Sequence, residues 1–72
     1  MVNTQLLDEK IKESGFRIEH IVNTVGLSRN GFDKKRKGIN PFRVAEIYVL
    51  CDLLHISEDE KQQIFFAQKV GL

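Results

Sequence analysis

Apolar residues along this chain recur at spacings of three and four, in short runs broken by glycine or proline. That is the period of amphipathic helices, not of strands. Leu7 and Ile11 stand one turn apart with Leu6 beside them. Asn3 or Thr4 is placed to cap this run and Gly15 to stop it, so a first helix is predicted over 4–14. Ile18, Ile21, Val22 and Val25 fall on one side of a second helix over 18–25, ended by Gly26. Its β-branched content favours a strand, but the spacing is helical. Ser28 heads a third helix running to about Lys37, with Gly38 as a left-handed terminator. Pro41 suits a helix start and opens a fourth helix over 42–54, with Val44, Ile47, Tyr48, Leu50, Cys51 and Leu54 as its broad apolar face. Ser57 and Glu60 have the spacing of a capping box, and the acids Glu58 and Asp59 suit the first turn of a helix. Ile64, Phe65 and Ala67 carry this fifth helix to about Lys69. The pattern is all-α: five short helices in one domain over 1–72.

Length and charge narrow the possible functions. Seventy-two residues hold one modest core and leave no room for a second, ligand-binding domain. A regulator of this size takes its signal through DNA, a partner protein or its own concentration. Cys51 is the single cysteine, which excludes an internal disulfide. No signal peptide, lipidation signal or membrane span is visible, and a cytoplasmic location is expected. The formal net charge of +1 hides an uneven distribution. Residues 28–43 hold Arg29, Lys34, Lys35, Arg36, Lys37 and Arg43 against Asp33 alone, between two acidic ends. A local basic patch, not the total charge, attracts phosphate; the alternative is a solvated lysine-rich face.

The informative stretch runs from Ile18 to Gly38. A helix of about eight residues, a Gly26-Leu27-Ser28 turn and a second short helix suit a helix-turn-helix, whose second helix projects into a major groove. Gly26 supplies the turn conformation, Leu27 plugs the turn from inside, and Phe32 anchors the projecting helix. Through Val25-Gly26-Leu27-Ser28-Arg29, Gly38, Asn40-Pro41, Cys51-Asp52-Leu53-Leu54 and Ile56-Ser57, the chain resembles the lambda-repressor/Cro-type regulators of phage and bacteria, from about Leu7 to Asp59.

The resemblance implies a lambda-repressor-like DNA-binding domain with double-stranded operator DNA as its partner. It places Arg29, Asn30, Asp33 and Lys34 at the base edges, with Ser28, the cap of the projecting helix, also in the DNA-binding set. Arg29 suits guanine, Asn30 adenine, and Asp33 cytosine or the orientation of a neighbour. Lys35, Arg36, Lys37, Asn40 and Arg43 would lie near phosphates, contributing affinity without sequence information. The chain also departs from the family. Arg17 and Ile18 stand where Ser or Thr followed by a phosphate-contacting Gln is usual, and Val22 where Ala is preferred. Lys35 occupies a usually apolar position, Gly31 interrupts the third helix, and His55 replaces a helix-ending glycine.

Catalysis has little support. His20 and His55 have no carboxylate or cysteine at a recognisable spacing, Cys51 reads as core, and the Glu58-Asp59-Glu60 cluster is explained by capping. Neither an enzyme nor a metal or other cofactor is expected. The serious rival is a protein-binding module on the same fold, similar to the small modulator-of-repression proteins of phage. In that reading Ile18 and Val22, at the rim of the second helix, and Phe65 and Phe66 dock on a cognate repressor. The plainer reading packs Ile18 into the core. A weak homodimer is also among the expected partners.

Overall fold

The structure, a computed structural model, describes residues 2–66. Among them are five helices and no strand: α1 (Thr4–Ser14), α2 (Ile18–Val25), α3 (Arg29–Arg36), α4 (Val44–Leu54) and α5 (Glu58–Phe65). The helix starts follow local chemistry. Asn3 accepts from the Leu6 N–H with its side chain, Ser28 from Gly31, and Ser57 from Glu60, whose carboxylate accepts the Ser57 N–H in return. Three of the helix ends take left-handed backbone. Gly15 adopts φ 75° after α1, Gly26 φ 88° after α2, and His55 φ 55° at the end of α4, where a side chain makes that conformation costly.

One core joins all five helices. Leu7 from α1, Ile21 and Val22 from α2, Phe32 from α3, Ile47, Leu50 and Leu54 from α4, and Ile64 and Phe65 from α5 are buried together with Ile56. α4 packs against α1 and α2, and α1 also packs against α5. The start of α1 and the end of α5 meet: the Asn3 N–H donates to the Ile64 carbonyl at 2.7 Å, and Lys10 pairs with Glu60 at 3.1 Å.

Three expectations need correction. α4 begins at Val44, two residues later than predicted, with Arg43 extended before it and donating its N–H to Glu46 Oε1 at 2.9 Å. Pro41 therefore precedes the helix start. Phe42 turns inward instead, edge-on to Phe32 and Phe65 with ring centroids 6.1 and 5.4 Å away. Val22 and Phe65 are buried core residues, because the faces of α2 and α5 that carry Ile21 and Ile64 also carry them. Neither is a rim position open to a partner. Val44 and Tyr48, expected on the inner face of α4, are 64% and 60% exposed. α3 stops at Arg36, one residue before Lys37, and α5 at Phe65. The predicted stretch of α5 over 67–69 lies outside the described residues.

Candidate nucleic-acid interface

α2, the turn and α3 form the unit that presents the basic stretch. The Gly26 and Leu27 N–H groups both donate to the Val22 carbonyl at 2.9 Å, closing α2 and turning the chain. Leu27 is half-buried against the core. Ser28 follows in extended backbone, φ −78° and ψ 161°, and its Oγ accepts the Gly31 N–H at 3.0 Å. A Cβ at position 31 would stand 3.0 Å from that same Oγ. Gly31 thus leaves room for the cap, a reason hidden when the glycine is read only as a weak helix former. Phe32 is fully buried and pins α3 to the core.

With α3 anchored by Phe32, helical geometry sorts its polar residues by direction. Arg29, Asn30, Lys34 and Lys37 are exposed, as are Ser28, Asn40 and Arg43 beside them. Lys35 and Arg36 turn inward. The Lys35 ammonium donates to both oxygens of Glu46 on α4 at 2.7 and 3.0 Å, and both side chains are nearly buried. Burial alone would push the Glu46 carboxyl up. The hydrogen bonds from Lys35 and from the Arg43 N–H outweigh it and hold the group below the ordinary glutamate value. Arg36 reaches Asp8 on α1 at 2.7 Å and Asp33 at 3.1 Å, and its carbonyl accepts the Thr4 hydroxyl at 2.7 Å. Its Nε is buried without a partner among the described residues. Asp33 is half-buried and braces Arg36, while its second oxygen lies 3.7 Å from Arg29 Nε.

Of the six basic side chains in 28–43, four face outward and two tie α3 to its neighbours. Those ties span 11 and 28 residues of sequence and leave no local signal. Lys35 at a usually apolar position was the available clue, since a lysine there must find an acid or leave the core.

The positions expected to meet a protein partner separate. Ile18 is half-buried against the core, and Phe66 is 48% exposed. Phe65 and Phe66 line an apolar cleft of about 300 Å³ with Val2, Pro41, Phe42 and Ile47. Phe16, not singled out from the sequence, is 39% exposed just before α2, its ring 4.9 Å from that of His20. Among the described residues no His, Cys, Asp and Glu side chains gather in a group able to hold a metal, and burial pushes the Cys51 thiol up. No described helix is long and apolar enough to cross a membrane. Comparison with protein-family models, curated proteins and solved structures finds no match to this chain.

Proposed function

We propose that the chain is a small transcriptional regulator of the lambda-repressor/Cro type, part of a phage-like genetic switch, that binds operator DNA through a helix-turn-helix formed by α2 and α3. The observation that carries this reading is the outer side of α3. It offers Arg29, Asn30, Lys34 and Lys37 with no apolar residue among them, on a helix whose opposite side is fixed by Phe32, Lys35 and Arg36. Rigid presentation suits base reading, because a fixed helix loses little freedom on docking. Arg29 and Asn30 have the donor and acceptor geometry for guanine and adenine edges in the major groove, while Lys34, Lys37 and Arg43 suit phosphates.

Selection of bound duplexes from a random DNA library tests the proposal. A short preferred sequence should emerge, and Arg29→Ala should lose about 1–3 kcal/mol of discrimination at one base while still binding DNA. Enrichment no better than for non-specific duplex would reject operator reading. Discrimination unchanged by Arg29→Ala would remove Arg29 from the base-reading set.

A second reading makes the chain an antirepressor that binds a partner repressor and blocks its DNA binding. It draws support from the start of α2. There Arg17 makes no side-chain cap, and the exposed Phe16, its ring tilted 44° against that of His20, lies two residues before half-buried Ile18. An aromatic rim beside a basic helix suits a protein surface better than a phosphate backbone.

A further inference from the structure

α4 is apolar on nearly every side. Its sequence, Val44-Ala45-Glu46-Ile47-Tyr48-Val49-Leu50-Cys51-Asp52-Leu53-Leu54, holds two charged residues, and one of them, Glu46, faces inward to Lys35. Ile47, Leu50 and Leu54 fill the core. The outer face carries exposed Val44, Ala45 and Tyr48, with Val49 at its margin and Asp52 at its far end. A helix apolar all round is normally covered all round. Here the remaining helices cover one side.

We propose that the outer face of α4 is a self-association surface, paired with the same face of a second copy in an antiparallel arrangement. The choice of occupant rests on charge. Arg43 precedes the helix and Asp52 ends its outer face, nearly equidistant from Tyr48 along the sequence. Both are exposed, and neither forms an ion pair among the described residues. Antiparallel packing of α4 about a two-fold axis beside Tyr48 brings Arg43 of each copy to Asp52 of the other, so both pairs are satisfied by one operation. The helix dipoles then oppose, which also favours the arrangement. The two Tyr48 rings meet near the axis, where aromatic pairs associate well. Lys61, 5.1 Å from the Tyr48 ring and 3.1 Å from Glu58, borders the patch.

The face is one helix long, about 16 Å at 1.5 Å per residue. It is smaller than the roughly 800 Å² per partner of a standard stable interface, so the dimer is weak and exchanging. This contact and the proposed DNA reading both use Arg43, so phosphate and the second copy compete for that one side chain, while the rest of the α4 face lies outside the proposed DNA-binding set.

Sedimentation equilibrium of the full chain up to about 1 mM, together with tyrosine emission, tests the inference, with concentrations chosen for a weak contact. Tyr48 is the single tyrosine and the chain has no tryptophan, so its emission reports on this face alone. A reversible dimer is expected, with Tyr48 emission tracking its formation. Arg43→Asp and Asp52→Arg should each weaken association roughly tenfold, because either reversal places like charges together twice in the symmetric pair. The double variant should restore it. Asp52→Arg sets a base in the last turn, which favours the helix, whereas Arg43→Asp sets an acid beside Glu46, so each variant's thermal melt is followed alongside and association is compared where both are folded. A monomer throughout the range would overturn the proposal and leave the face to a different protein. Dimerisation indifferent to either reversal, or lost and not restored in the double variant, would overturn it as well.

Discussion

Ile18 stands at the first turn of α2, half-buried against the core. Replacing it with Gln removes the β-branch and moves an amide onto apolar neighbours. The expected cost is about 1 kcal/mol, which for a domain of this size lowers the melting temperature by roughly 4–8 °C. Circular dichroism on heating checks it. An unchanged melting temperature would mean that Ile18 contributes nothing to the core and would return it to the rim. At this scale the sequence was informative wherever a side chain answers its immediate neighbours: the caps by Ser28 and Ser57 are four-residue patterns, and the structure contains both. Val22 was misplaced because periodicity gives the direction of a face but not its width. Four β-branched or large residues on an eight-residue helix occupy more of the circumference than a narrow stripe.

α3 and α4 are joined by Glu46, whose carboxylate caps the start of α4 and holds the Lys35 ammonium at the same time. Glu46 binds its proton less readily in the folded chain than in the unfolded one. Its contribution to stability is therefore complete above the unfolded value of about 4.3 and drains away as pH falls through the lower, folded value. Glu46→Gln should destabilise the protein by about 1–3 kcal/mol at neutral pH, the usual worth of a charge-assisted hydrogen bond. The variant should then converge toward the wild type as the pH drops below 4, as seen by urea unfolding at a series of pH values. Both proteins should still lose stability in acid, because Lys61 and the Ser57 N–H hold down Glu58 and Glu60 respectively. Parallel profiles would mean that Glu46 titrates alike in both states. The first three helices were legible to within a residue because each carries its own start and stop. The start of α4 was not, since Pro41 only permits a helix to begin. Half-buried Phe42, edge-on to Phe32 and Phe65, sits in the extended stretch that runs to Arg43.

Across the whole molecule, formal charge overstated the surface available to phosphate. Within residues 28–43 four cations, Arg29, Lys34, Lys37 and Arg43, face solvent, while Lys35 and Arg36 neutralise Glu46, Asp8 and Asp33. If the four meet DNA, the slope of log affinity against log salt should lie near −3.6, at about −0.9 per phosphate, and not near the −5.4 of all six. Lys34→Gln should make the slope shallower by about 0.9, whereas Lys35→Gln should leave it unchanged, as read by fluorescence anisotropy of labelled duplex across a salt series. Equal effects of the two substitutions would mean that Lys35 releases Glu46 to reach DNA. The long pairings were invisible beforehand because they join residues brought together only by packing. One such contact, the Asn3 N–H on the Ile64 carbonyl, closes the segment from residue 3 to residue 64 on itself. Closing a loop of some sixty residues costs on the order of 4 kcal/mol in its length-dependent part alone. That contact therefore forms late, once the helices between have drawn the ends together. Ile64 stays fixed by its place in the core, so opening this contact frees Asn3 and the cap it gives to α1, and not residue 64.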